Sequence, residues 1–169
     1  PGLGLAIGNR LKKAAGFHIV ECNMVTIGIT GPTGCGKTTL LQEIAARGGE
    51  IVDCDALYYE LLREDPDLKT ALEHAFGDIF LPDGSLDRPK LASLVFFSAD
   101  KLAKLNEIVF FHVGRAVKHR KAQAEQAETD FAIDAINLLE SGMGALCDKT
   151  VCVLAPEEVR MQRIMRAMA

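Results

Sequence analysis

The chain has 169 residues, of which 49% are hydrophobic and 25% are charged, and its formal net charge is −4. This length suits one globular domain with room for a small inserted lobe, and the mild acidity disfavours a nucleic-acid scaffold, which usually carries a basic excess. The chain has five cysteines and no C-x-x-C pair, which disfavours a disulfide framework or a zinc site. No apolar run reaches the roughly 18 residues of a membrane span. We therefore expect a cytoplasmic protein.

Residues 1–23 precede the first strong structural pattern and lack the apolar segment and cleavage site of a signal peptide. We interpret them as an N-terminal extension, a cloning remnant or the product of a start codon placed too early. Met24 would be a natural first residue.

From Met24 onward, short apolar strands alternate with helices. Strands are predicted at 24–30, 50–55, 130–136 and 149–155. Helices are predicted at 38–49, 56–65, 66–77, 89–96, 99–126 and 156–169, the last with Pro156 at its first position.

The predicted order of elements indicates an α/β fold with a parallel sheet, because strands and helices alternate along most of the chain. Three or four helices lie between the second and third strands, so we expect a helical lobe inserted at about 56–125. The domain prediction is therefore a parallel α/β core at 24–169 that carries this lobe.

The sequence G-x-x-x-x-G-K-T from Gly31 to Thr38 follows a predicted strand and opens a helix, which is the context of a phosphate-binding loop. The glycines allow the backbone to turn its N–H groups inward, Lys37 can reach the β- and γ-phosphates, and the Thr38 hydroxyl can bind Mg²⁺. The predicted nucleotide-binding residues are Gly31, Gly34, Cys35, Gly36, Lys37, Thr38 and Thr39.

The loop alone does not identify a reaction, because GTPases, helicases and small-molecule kinases share it. The sequence has no N-K-x-D guanine motif, and it is short and acidic for a helicase. A small-molecule kinase needs a second site for its acceptor, which the helical lobe could form.

Two carboxylates are predicted beside the loop, because the carboxyl ends of parallel strands share one edge of the sheet. Asp53 and Asp55 lie at the carboxyl end of the second predicted strand, and Asp134 lies in the third. One of the first two can accept a proton from an attacking hydroxyl. Asp55 could instead cap the helix that begins at Ala56. Asp134 could hold a magnesium-bound water, be a buried carboxylate, or be both.

Five segments resemble dephospho-CoA kinases in order and spacing, over residues 24 to about 168. They are GITGPTGCGKTTL, IVDCDAL, AFGDIFLPDGSLDRPKLASLVF, KLAKLNEIVF and FAIDAINLLESG. The resemblance implies a P-loop kinase that transfers the γ-phosphate of ATP to the 3′-hydroxyl of dephospho-CoA, the last step of coenzyme A biosynthesis. It also implies Mg²⁺ as a cofactor, and we expect a monomer whose partner is this small molecule.

The resemblance also implies residue roles. Asp55 matches the proposed base, and the implied catalytic residues are Asp55, Lys37 and Arg88. Phe76, Gly77, Asp87 and Arg88 match positions of the acceptor lobe, although Arg88 could instead pair with Asp87 at the surface. Magnesium is assigned to Thr38, with Asp53 or Asp134 acting through water.

Three departures from the family pattern bear on activity. Phe110-Phe111 replaces a His-Pro pair, and His112 would lie about 200° around the helix from the expected position. Ile136 replaces a proline. We expect a lid truncated after about residue 163, of which Arg163 and Arg166 are either the first members or an exposed basic face. A nucleoside kinase or a non-catalytic nucleotide-binding protein therefore stays open as an alternative.

Overall fold

A computed structural model describes residues 24–168, apart from the Met168 side chain, and the predicted extension at 1–23 lies outside the described residues. Four strands form one parallel sheet in the order β2-β3-β1-β4. The strands are β1 Thr26–Thr30, β2 Glu50–Asp53, β3 Phe131–Asp134 and β4 Lys149–Cys152. The α/β fold class and its parallel sheet are therefore confirmed.

Helices cover most of the remaining described chain, and four of them lie between β2 and β3. The helices are α1 Lys37–Ala46, α2 Cys54–Glu64, α3 Pro66–Phe76, α4 Arg88–Val95, α5 Ala99–Gln126 and α6 Glu157–Met168. A short 3₁₀ turn at Met143–Leu146 was not predicted. Within residues 24–168, no helix is both long and apolar enough to cross a membrane.

The predicted and observed boundaries differ most importantly for function at the end of β2. The strand was predicted to run to Asp55, but it ends at Asp53, and α2 begins at Cys54. The reason is local: the Asp53 carboxylate accepts hydrogen bonds from the N–H groups of Asp55 and Ala56, which caps the helix. β3 and β4 likewise end earlier than predicted, and α6 begins at Glu157 rather than Pro156.

Two apolar clusters join the sheet to the helices. One packs Val113 and Val117 of α5 against sheet residues such as Phe131 and Ile133. The other lies among α2, α3, α4 and the N-terminal half of α5, and its members include Ile108. Because α5 contributes to both clusters, this helix fixes the position of α3 and α4 relative to the sheet.

Candidate active site

The glycine-rich loop leaves β1 and turns tightly before α1. Gly31, Gly34 and Gly36 all have positive φ angles, of 145°, 79° and 105°. A Cβ atom on Gly31 would lie 2.3 Å from the carbonyl oxygen of Val153, so only glycine fits there. Lys37, the first residue of α1, donates a hydrogen bond from Nζ to the Gly31 carbonyl oxygen at 2.9 Å. The N-terminus of α1 therefore faces the same space as the loop.

A crevice of about 360 Å³ lies beside this loop, and we call it the loop crevice. It brings together the predicted loop residues from Gly34 to Thr38 with Asp53, Asp55 and Asp134. Segments that are about a hundred residues apart in sequence thus meet at one edge of the sheet.

The three carboxylates occupy different local environments. Asp53 and Asp134 are register partners on β2 and β3, whose backbones lie about 4.8 Å apart. Asp53 uses Oδ1 to cap α2, whereas Asp55 lies in the first turn of that helix and makes no capping bond. The capping alternative predicted for Asp55 is therefore wrong, because Asp53 performs it.

Asp134 is the most enclosed of the three carboxylates. Burial raises its pKa, Lys37 opposes that shift, and the charges of Asp53 and Asp55 add to it. Among the described residues, no group forms a hydrogen bond with its buried Oδ1 atom. A buried carboxylate oxygen without a partner is suited to bind a cation or a water held by one.

Arg163 on α6 closes the loop crevice from the other side. Its guanidinium donates hydrogen bonds to the carbonyl oxygens of Gly34 at 3.1 Å and Cys35 at 3.2 Å. Arg166 is exposed and does not line the crevice. Only the first of the two predicted lid arginines therefore reaches the loop.

A second crevice, of about 220 Å³, lies between α2 and α5, and we call it the α2–α5 crevice. Asp55 lines both crevices, as do Ala135 and Ile136, so the two crevices adjoin at these residues. The other walls of the α2–α5 crevice include Tyr58, Phe110, Ile136 and Asn137. Phe110 and Ile136 are two of the departures found in the sequence, and both lie here.

Comparison with known proteins decides the family. The protein-family model for dephospho-CoA kinase matches residues 25–168. The chain belongs to the dephospho-CoA kinase family. A dephospho-CoA kinase of Streptomyces avermitilis is 37% identical over 150 residues, which cover 85% of this chain and 70% of that protein. One of Corynebacterium efficiens is 36% identical over 83% of this chain and 72% of its own length.

Two solved structures have a similar fold. A crystal structure of TT1252 from Thermus thermophilus matches with a TM-score of 0.68 and 31% identity, over 85% of this chain and 72% of that chain. A dephospho-CoA kinase from Campylobacter jejuni matches with a TM-score of 0.53 at 11% identity, over 86% of this chain and 96% of that chain, which supports the fold. The predicted resemblance, the ATP-dependent kinase class and the function in coenzyme A biosynthesis that the family name carries are confirmed.

Some residues predicted for the acceptor lobe of this dephospho-CoA kinase family member lie outside both crevices. Phe76 packs against the apolar cluster of the lobe, and Gly77 ends α3 with a φ of 78°. Asp87 caps α4 by accepting from the Lys90 N–H, and no ion pair between Asp87 and Arg88 occurs within residues 24–168. The substrate roles of Phe76, Gly77 and Arg88 stay predictions.

The sequence prediction missed Tyr58, Asn137 and Met143 as residues that line the α2–α5 crevice. A signal for Tyr58 existed, since the helix predicted at 56–65 starts directly after Asp55 and places Tyr58 three residues further on, on nearly the same side. Asn137 and Met143 had no comparable signal, because they lie in irregular chain after β3. His112 does not reach either crevice, because its buried ring contacts Asp65 in the lobe.

Proposed function

We propose that this chain transfers the γ-phosphate of ATP to the ribose 3′-hydroxyl of dephospho-CoA and that Asp55 accepts the proton of that hydroxyl. The observation that carries the proposal is the position of Asp55 at the junction of the two crevices. Because Asp53 caps α2, the Asp55 carboxylate is available to a substrate. A positioned base of this kind contributes about 10²–10⁴-fold to a rate.

The loop crevice holds the triphosphate in this proposal. Loop N–H groups and the N-terminus of α1 bind phosphate oxygens. When ATP binds, the Lys37 ammonium leaves the Gly31 carbonyl oxygen and contacts oxygens of the β- and γ-phosphates. The Arg163 guanidinium reaches the same phosphate oxygens from α6. These positive groups stabilise the charge that spreads over the transferring phosphoryl group.

The residues of the loop crevice fit a magnesium ion. The Thr38 hydroxyl and the carboxylates supply the hard oxygen donors that Mg²⁺ prefers, and the buried Oδ1 of Asp134 has no hydrogen-bond partner among the described residues. Thr38 would bind the ion directly and Asp134 through water. Asp53 is the weaker choice, because its Oδ1 is engaged by the helix cap. The bound ion would neutralise phosphate charge during transfer.

The α2–α5 crevice receives the acceptor in this proposal. A sugar placed against Tyr58 and Phe110 would bring its hydroxyl toward Asp55, on the side that faces the triphosphate. In-line transfer needs the hydroxyl, the phosphorus and the leaving oxygen in this order, and the adjoining crevices supply a path of that kind.

The test is an ADP-release assay with ATP and dephospho-CoA. Asp55→Asn should lower kcat by about 10²–10⁴-fold, while KM for ATP changes little, because the amide cannot accept the proton. Asp100→Asn is the matched control, since Asp100 is also an exposed residue in the first turn of a helix, and it should keep wild-type activity. Full turnover by Asp55→Asn would remove this residue from the mechanism.

Two outcomes of the same assay would replace the proposal. Phosphorylation of nucleosides with dephospho-CoA ignored would indicate a nucleoside kinase. Tight ATP binding without transfer to either acceptor would indicate a non-catalytic nucleotide-binding protein.

A further inference from the structure

The Arg88 side chain lies against an aromatic ring and not against a carboxylate of the described residues. Its guanidinium carbon lies 4.5 Å from the centroid of the Tyr59 ring. Within residues 24–168, no carboxylate lies within ion-pair distance of Arg88 and no side-chain hydrogen bond involves it. A guanidinium that lies over an aromatic ring keeps its five N–H donors available for a ligand.

Tyr59 joins this arginine to the proposed acceptor site. It lies four residues after Asp55 on α2, so the two side chains share one face of the helix, with Cβ atoms about 5–6 Å apart. The ring of Tyr59 also lies 5.4 Å from that of Tyr58, which lines the α2–α5 crevice. Arg88 therefore lies over the second ring of an aromatic pair whose first ring, that of Tyr58, lines this crevice.

The carboxylates around Asp55 would repel an acceptor that carries phosphate unless a cation lies nearby. Three carboxylates line the loop crevice, and one of them, Asp55, also lines the α2–α5 crevice. The loop-crevice cations Lys37 and Arg163 both contact carbonyl oxygens of the loop, on the nucleotide side. An acceptor that carries phosphate needs a separate positive group to offset the acidic surroundings of Asp55.

We propose that Tyr59 is a positioning residue that holds the Arg88 guanidinium at the mouth of the α2–α5 crevice, where it binds a phosphate of the acceptor. This inference rests on the proposed function, because it requires a phosphorylated acceptor in that crevice. The planar guanidinium matches two phosphate oxygens at once, and the ring limits the orientations that an exposed arginine would otherwise sample.

Two substitutions at position 59 distinguish the effect of the aromatic ring face from the effect of side-chain size. Tyr59→Phe keeps the aromatic face that attracts the guanidinium and should behave as the wild type does. Tyr59→Leu keeps apolar bulk and removes the face, so it should raise KM for dephospho-CoA by about two- to fivefold, with kcat and KM for ATP unchanged. Phe97→Leu is the control, because it removes another exposed aromatic ring of the lobe and should change neither constant.

A double-mutant cycle tests whether Tyr59 acts through Arg88. Arg88→Ala should raise KM for dephospho-CoA by more than Tyr59→Leu does, and adding Tyr59→Leu to Arg88→Ala should raise it no further. An unchanged KM in Tyr59→Leu, an equal loss in Tyr59→Phe, or a full additional loss in the double variant would each overturn the inference.

Calorimetric binding of dephospho-CoA without ATP distinguishes this inference from the proposed function. If wild type binds dephospho-CoA without phosphorylating it, the proposed function fails, and the dissociation constants of the same variants still decide the role of Tyr59. If wild type neither binds nor phosphorylates dephospho-CoA, both proposals are overturned.

Discussion

Substitution of Asp65 offers the sharpest test of how the helical lobe is held together. Asp65 caps α3 by accepting from the N–H groups of Asp67 and Leu68, at 2.9 and 3.3 Å. Its second carboxylate oxygen lies 3.0 Å from Nδ1 of His112 and 2.9 Å from the Arg115 guanidinium, both on α5. One side chain thus joins the start of α3 to the middle of α5.

The expected loss of stability follows from these contacts. Removing an N-cap costs about 1 kcal/mol, and leaving the buried His112 without its partner costs about 1–3 kcal/mol. The half-exposed Arg115 adds at most about 1 kcal/mol. Asp65→Ala should therefore lower the free energy of unfolding by about 2–5 kcal/mol.

Urea unfolding followed by circular dichroism measures this loss. Asp67→Ala is the matched control, because Asp67 is an exposed neighbour whose ion pair with Arg115 spans 3.6 Å, and it should lose less than about 1 kcal/mol. Equal losses in the two variants would refute the argument that Asp65 joins α3 to α5.

The pH dependence of this contact has a definite sign. Burial alone would raise the pKa of Asp65, but the hydrogen bonds from His112 and from the N–H groups of Leu68 and Asp67 lower it overall. A carboxyl whose pKa is lower in the folded state stabilises the protein above its unfolded pKa of about 3.9, and that stabilisation is lost as the pH falls through the folded value. The difference in unfolding free energy between wild type and Asp65→Asn should therefore shrink below about pH 4, and a difference that grows on acidification would contradict this assignment.

Three further predictions concern the active site and the packing around it. Asp134→Asn should raise the Mg²⁺ concentration for half-maximal activity by about 10–100-fold, and an unchanged requirement would argue against a metal role. Arg163→Ala should raise KM for ATP by roughly tenfold with KM for dephospho-CoA unchanged, and equal effects on both constants would contradict its place on the nucleotide side. Gly28→Ala should cost about 1–3 kcal/mol in urea unfolding, because its Cβ would lie 2.6 Å from a Leu138 methyl group. Gly114→Ala on α5 should instead stabilise by about 0.5–1 kcal/mol, because within residues 24–168 its Cβ would meet nothing within 4 Å beyond its chain neighbours and the backbone of its own helix. Shifts of the same sign in both glycine variants would refute the packing argument.

The sequence predicted the features that local chemistry determines. The phosphate loop, the alternation of strands and helices and the bounds of the long helix Ala99–Gln126 follow from spacing within short windows. The end of β2 was misplaced because two aspartates were each able to cap the next helix. Which of them forms the cap depends on backbone geometry that the sequence pattern does not specify.

Contacts between distant segments could not be predicted in the same way. Arg163 meets the loop across 129 residues of sequence, and Phe110 and Ile136 meet at one crevice although they lie on different elements. The contact of the Arg88 guanidinium with the Tyr59 ring likewise depends on how α2 and α4 are both placed against α5. These contacts depend on tertiary packing, which periodicity does not encode.

The positions of two departures from the family pattern, Phe110 and Ile136, bear differently on the proposed acceptor binding and on the proposed nucleotide binding. Phe110 replaces a histidine and Ile136 a proline relative to the family pattern, and both line the α2–α5 crevice. Of the two, only Ile136 also borders the loop crevice, and the predicted phosphate-binding loop beside that crevice keeps the full motif from Gly31 to Thr38. Under the proposed function, the nucleotide-binding motif is unchanged and Phe110 makes the proposed acceptor wall more apolar than a histidine would, so we expect the main effect on acceptor binding. Comparing KM for dephospho-CoA with KM for ATP is therefore more informative for this chain than total activity alone.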